Sequence, residues 1–315
     1  MELFLKEKIL VTGSDGLIGS AIKRISKSYK SEFVFVGRKD ADLTSETAVK
    51  NLFTREKPDF VIHAAAKVGG IGANLKKPAE FFYENIMMNS LILHYAWKNQ
   101  VKKCLAFSSV CSYPDKVEIL KEDLQQFGKP CEENFAYGYA KRMIDTQIKA
   151  YRLQYGCDFC ALVPANLYGC NDNYDLNDGH IIPSIIHKCF LAKKENKTLE
   201  CWGDGSPLRE FIFADDVAEL CLRILFSKQI YDAVIVSNPI EYSIKEVVQF
   251  ICKYTKYDGP VKWSSNRLNG QHRRPSDISR LKKIAPNFNY TDLDNGIKKS
   301  VNWFAENYPN LRGAH

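Results

Sequence analysis

Tyr137 and Lys141 stand four residues apart in "YGYAK", inside a stretch of helical spacing, so their side chains share one helix face. A phenol beside an ammonium is a proton donor for a carbonyl oxygen. The ammonium stabilises the phenolate and draws its pKa down from ~10. Ser109 closes the apolar run "KKCLAFSS", where a hydroxyl can hydrogen-bond the same oxygen. Two residues on comes Cys111, ahead of a proline that stops regular structure. A free cysteine in such a place reads first as packing. Tyr139 lacks a lysine four residues on and also reads as packing. Tyr-x-x-x-Lys arises often by chance, so its meaning depends on the elements that carry it.

Those elements begin with "KILVTGSDGLIGSAIKRI", which reads as strand, glycine turn and helix. The turn runs through Gly13, Ser14, Asp15, Gly16, Leu17, Ile18 and Gly19 as G-x-x-G-x-x-G. Glycines let the backbone approach a pyrophosphate, which then lies at the positive end of the helix. After the next strand, "FVFVG", an NAD site commonly carries an acid for the ribose hydroxyls. This chain has Arg38 and Lys39 there, and a guanidinium suits a ribose 2′-phosphate, so NADP is expected over NAD. Asp15 is awkward beside a phosphate unless its side chain points away.

Further along, "SETAVKNLFTRE" has helical spacing with Ser45 as N-cap, and "PDFVIHAAAK" is a strand. "PAEFFYENIMMNSLILHYAWKNQ" is a long helix, apolar on most sides, hence buried on more than one face. "KKCLAFSS" is a fourth strand, "AYGYAKRMIDTQIKAYRLQYG" a second long helix and "DFCALVPANLYG" a fifth strand. Short apolar strands alternating with helices predict an α/β fold, a doubly wound parallel sheet of Rossmann type. Residues 1–170 are read as the NADP-binding domain, with 211–240 returning to it. Residues 171–315 are read mainly as a smaller, substrate-binding lobe. That lobe includes helices from "IIPSIIHKCFLAKK" and "SIKEVVQFICKY", a short strand "VKW" and a basic loop, "NRLNGQHRRPSD", while the strand "DAVIVSN" falls in the returning segment.

Composition narrows the function classes. With 315 residues, a large domain plus a smaller one is expected. No stretch approaches the ~18 apolar residues of a membrane span. The first residues run directly into a strand pattern, so no secretory leader is expected. The 10 cysteines are scattered, as in a reduced, cytoplasmic protein. Cys157 and Cys160 have the spacing of half a metal or redox site but no second pair, and read as core. No metal is expected. The net charge of +7 comes from dispersed basic residues without interleaved aromatics, which favours anionic small ligands over nucleic acid.

Six blocks are more specific than any of these features: "HAAAKVGGIGAN", "CSYP" at Cys111, "YGYAK", "VPANLYGCNDNY", "GHIIPSII" and "WGDGSPLREFIFADD". Through them, over nearly its whole length, the chain resembles the GDP-L-fucose synthase family of extended short-chain dehydrogenases/reductases. The resemblance implies NADPH-dependent reduction at carbon 4 of a GDP-4-keto-6-deoxy-sugar by Ser109, Tyr137 and Lys141. It implies that Cys111 and His180 exchange protons at the flanking carbons 3 and 5. Cofactor contacts carried over with it are Gly13 to Gly19, Arg38, Asp42, Leu43, Ala64, Ala65, Ala66, Tyr137, Lys141, Pro164, Asn166, Leu167 and His180. Substrate contacts are Ser109, Asn166, Lys188, Trp202, Arg209 and Arg274. It also implies a homodimer built on a four-helix bundle from the two long helices.

Four positions depart from the family pattern: Asp15, Val110, and Asp178 and Gly179 before His180. They bear on the sugar and on epimerisation. A carbon-4 reductase of a hexose or heptose without epimerase activity therefore stands as the alternative. A non-catalytic dinucleotide sensor would break the Ser/Tyr/Lys set, which is complete here. A dehydratase would carry acids in place of Ser109-Val110.

Overall fold

The computed structural model describes residues 6–264 and 272–314. The first six residues of the basic loop, 266–271, lie outside the described residues. Among the described residues, eleven strands run β1 Lys8–Thr12, β2 Glu32–Val36, β3 Phe60–His63, β4 Lys103–Phe107, β5 Phe159–Pro164, β6 Asn166–Tyr168, β7 Leu199–Trp202, β8 Leu208–Phe213, β9 Ala233–Val236, β10 Glu241–Ser243 and β11 Val261–Ser264. Ten α-helices run α1 Leu17–Ile25, α2 Glu46–Glu56, α3 Ile71–Lys76, α4 Pro78–Lys98, α5 Phe135–Tyr155, α6 Ile181–Glu195, α7 Ala214–Phe226, α8 Ile244–Thr255, α9 Ser279–Ile284 and α10 Leu293–Asn307.

A six-stranded parallel sheet in the order β2-β1-β3-β4-β5-β9 forms the centre. Each inner strand feeds two cores, which is why the strands read as nearly unbroken apolar runs. Ile9, Val11, Leu105 and Phe107 face one core with α1, α7 and α9. Leu10, Cys104 and Ala106 face the other with α2, α4 and α5. Chain order reverses about β1, with β2 on one side and β3 on the other, so a crevice opens at the carboxyl ends of the strands there. Ser45 caps α2 by accepting from Ala48 N at 3.4 Å.

A third core joins α6, α8 and α10 with Tyr168, Tyr174, Phe211 and Phe213. Two small sheets border it: β10-β8-β6 and β11-β7. The run "DFCALVPANLYG" is not the single strand its apolarity predicts. It leaves the central sheet after Pro164, and β6 then pairs with β8. Ala165 N makes the last bond to β9, to Val236 O at 3.0 Å, and apolarity on both sides of Pro164 hides the switch from one sheet to the other. Among the described residues no helix is long and apolar enough to cross a membrane.

Candidate active site

The glycine turn is fastened to the sheet. Gly13 N and Ser14 N both donate to Val36 O, at 2.9 and 3.2 Å. Gly13 has φ +74°, and a Cβ there would meet Ala65 N at 2.5 Å. A Cβ on Gly19 would lie 2.6 Å from Ser14 Cα. These positions admit only glycine, and they leave bare backbone at the start of α1, where Gly16 is the N-cap and Leu17 and Ile18 begin the helix. Ala64, Ala65 and Ala66 continue from β3 beside the turn, with Ala64 N bonded to Thr12 O at 3.2 Å. Arg38 projects from the end of β2 with its side chain 91% exposed, 3.5 Å from Glu84. The cradle fits a dinucleotide, and Arg38 fits its phosphorylated ribose. Asp42 accepts from Thr44 N at 3.0 Å and Oγ1 at 2.7 Å, which holds its carboxyl below the usual range. Leu43 is buried in the core, so it reaches a ligand through its backbone at most.

At the end of β4, Ser109 caps a short 3₁₀ turn, Val110–Ser112, by accepting from Cys111 N at 3.1 Å. Tyr137, near the start of α5, hydrogen-bonds Ser109 and lies within electrostatic range of Cys111. Burial raises the Tyr137 phenol above its ordinary pKa, Cys111 adds to the rise and Ser109 opposes it. The expectation that Lys141 lowers the phenol pKa is not met. Lys141 is 2% exposed and gives its Nζ proton to Phe107 O at 2.7 Å, and burial pushes its own pKa down to about 7. Its bond is to the strand end rather than to the tyrosine.

Several residues that fix this seam escape a motif search. Gly138 lies inside "YGYAK", and a Cβ on it would meet Cys111 O at 2.7 Å and Pro130 Cβ at 2.8 Å. Its bareness lets α5 lie against the Cys111 turn. Arg142 donates to Ser112 O at 2.7 Å and Gly128 O at 2.8 Å. Gln125 donates to Ser112 Oγ at 2.6 Å. His63, buried at the end of β3, bridges Thr12 Oγ1 (2.7 Å) and Asn89 Oδ1 (3.0 Å). Burial and the Lys141 charge push it down to about 3, so it stays neutral, as a structural histidine should.

His180 is the exposed N-cap residue of α6. Its loop docks on the segment after β3, where Gly70 N donates to Asp178 O at 3.0 Å. Sequence reading missed its neighbour Asp172, 4% exposed, whose Oδ2 has no hydrogen-bond partner among the described residues. Burial raises Asp172 to about 6, and the His180 charge opposes the rise. An acid two residues after the cysteine of "GCNDN" was the available signal.

The remaining residues divide into two groups. Lys188 on α6 lies over the Trp202 ring at 4.6 Å, and both line a cleft of about 490 Å³ with Leu199 and Glu200. Arg209 on β8 and Arg274 lie close enough for the Arg274 charge to lower the Arg209 pKa, second to burial. Arg274 donates to Pro114 O at 3.0 Å and lies within electrostatic range of Cys111. Buried Glu210 secures this meeting by accepting from Ser276 N at 2.9 Å and Ser237 Oγ at 2.6 Å. Pro164 ends β5, Leu167 pairs with Ile212, and Asn166 commits its amide N–H to Glu210 O at 2.7 Å. That bond uses one of its two amide N–H groups and leaves the other, with the carbonyl oxygen, outside it.

A nucleotide cradle at the reversal point of a doubly wound sheet, with serine, phenol and ammonium at a neighbouring strand end, defines a dinucleotide-dependent protein acting on carbonyl or carbinol groups. Residues 9–235 match the NAD dependent epimerase/dehydratase family, and the chain belongs to that family. It is 37% identical to a GDP-L-fucose synthase of Dictyostelium discoideum, over 98% of each chain. A GDP-L-fucose synthetase of Naegleria fowleri bound to NADP superposes with a TM-score of 0.92 at 33% identity, covering 99% of this chain and 98% of that one. A GDP-mannoheptose C4 reductase of Campylobacter jejuni with NADP bound gives 0.83 at 28%, covering 95% and 98%.

Proposed function

We propose that this protein reduces carbon 4 of a GDP-4-keto-6-deoxy-sugar with NADPH and epimerises carbons 3 and 5, giving GDP-L-fucose or a related GDP-sugar. One observation carries the reading. Cys111 N is bonded to Ser109 Oγ at 3.1 Å and Arg274 to Pro114 O at 3.0 Å, three residues past Cys111, so the Ser109-Cys111-Tyr137 cluster adjoins a pair of cations, Arg274 and Arg209, suited to a diphosphate. The full-length similarity to GDP-L-fucose synthases supports the same substrate class.

Gly13, Gly16, Gly19, Ala64 to Ala66 and Arg38 hold the cofactor, which supplies the hydride when bound. Tyr137, protonated because burial raises its pKa, gives its proton to the carbon-4 oxygen, and Ser109 hydrogen-bonds that oxygen. Hydrogens next to a ketone are acidic because the enolate places charge on this same oxygen. Cys111 and His180 remove and return protons there. Trp202 and Lys188 hold the nucleotide end, and Arg209 and Arg274 the diphosphate.

The test is reaction with NADPH and GDP-4-keto-6-deoxymannose in heavy water, followed by NMR of the product. Deuterium at carbons 3 and 5 in an L-configured product is the expected result. A product without deuterium there and with D-configuration establishes the second reading, a carbon-4 reductase. That reading draws on the exposure of His180 and on the likeness to the heptose reductase. An unchanged rate of NADPH oxidation in Tyr137→Phe would sink both. Exposed Phe82 and Tyr83 on α4, with Met143 and Leu153 on α5, support a homodimer through these helices, which a one-chain mass in light scattering would exclude. Ten unbonded cysteines suit the cytoplasm.

A further inference from the structure

The end of β2 is where a doubly wound dinucleotide site reads the adenosine ribose. Three aspartates surround this corner, and two have their carboxylates bonded to backbone N–H groups. Asp40 Oδ2 accepts from Gly37 N at 2.7 Å, and Asp42 Oδ1 is taken by Thr44. Asp15 differs. It is exposed, comes from the glycine turn and lays its carboxylate against Gly37. A Cβ on Gly37 would lie 2.9 Å from Asp15 Cγ, 3.1 Å from Ser14 Oγ, and would collide with Asp15 Oδ2. Ser14 Oγ donates to Asp15 Oδ1 at 3.3 Å, and the bonds from Gly13 N and Ser14 N to Val36 O tie turn and strand end together. Asp15 thus points away from the bare backbone that suits the pyrophosphate, but towards the ribose corner.

A carboxylate there accepts a hydrogen bond from a ribose 2′-hydroxyl and repels a 2′-phosphate. Arg38, next to Gly37, does the reverse. We propose that Asp15 is a specificity-determining residue that keeps the site open to NADH as well as NADPH. Asp15 accepts from the 2′-hydroxyl of NADH, and Arg38 pairs with the 2′-phosphate of NADPH. This rests on the dinucleotide reading above and is independent of the sugar.

The test is direct binding of NADPH and NADH to the full chain, by calorimetry, in the native protein, Asp15→Asn and Arg38→Ala. The native protein should bind NADH within about a hundredfold of NADPH. Asp15→Asn should tighten NADPH by about tenfold and weaken NADH by about threefold, moving the two in opposite directions. Arg38→Ala should weaken NADPH by about tenfold or more and change NADH by less than about twofold. Circular dichroism checks that each variant is folded, and Asp15→Ser replaces an Asn variant that is not. A native preference for NADPH beyond about a thousandfold, or an Asp15 variant that shifts both cofactors by one factor, overturns the proposal alone. A protein that binds neither cofactor overturns the dinucleotide reading as well.

Discussion

The seam at the end of β4 and the cation site of the smaller lobe are built on opposite terms. In the seam, polar groups are bound to the protein itself. Lys141 is 2% exposed and bonded to Phe107 O, while Arg142 and Gln125 hold the Ser112 turn that carries Cys111. In the lobe, Trp202 is 50% exposed, and the charge of Arg274, after burial, disfavours that of Arg209. Proton transfer needs groups set in place before the substrate arrives, in a medium where small displacements matter. Gripping a dianion needs the reverse, cations whose mutual repulsion is relieved when the ligand binds.

Tyr137→Phe should lower kcat by about 10³-fold with KM nearly unchanged in steady-state kinetics. A rise in KM alone would make the tyrosine a binding group and erase the contrast. Lys141 gives a pH test. Its folded pKa is about 7 against 10.5 for the free side chain, so between these values the unfolded chain holds a proton that the folded chain has shed. Stability from this group therefore rises with pH across that window and is least below pH 7. Lys141→Met should be the more stable protein at pH 6, by on the order of 3 kcal/mol, with the advantage shrinking towards pH 10. Urea unfolding at the two pH values measures it, and parallel pH curves would mean that the seam is wet.

Gly138→Ala should reduce kcat/KM by about 30-fold and stability by about 1–2 kcal/mol, because the new methyl displaces the Cys111 turn. Kinetics together with thermal melting separate this from the gain in helix propensity, which alone would stabilise. The smallest effect belongs to the lobe. Arg209→Ala should raise KM for the GDP-sugar by about tenfold at low salt, less at high salt, with kcat nearly constant. A large fall in kcat would show that the lobe, too, positions the reacting groups.

Legibility follows the same division. Apart from the short α3, which was not read, the order of strands and helices through α5 was readable because each alternates or repeats within itself, and Tyr137, Lys141, Ser109 and the glycine turn are local patterns on those elements. The break between β5 and β6 was not readable, since apolar residues continue across it. Gly138 read as part of a motif rather than as a contact. Lys141 was given the tyrosine as its partner because helix spacing shows only which residues share a face.

By itself, then, the sequence determined the parallel sheet, the cradle and the identity of the groups on each element. These depend on periodicity and on local backbone freedom, which a few neighbouring residues settle. Tertiary structure decided the rest: Arg274 beside Cys111, Gly138 against the Cys111 carbonyl, Lys141 on Phe107 and Asp15 on Gly37. Electrostatic and contact energies depend on distance in space, and those distances are fixed only when separate elements pack together.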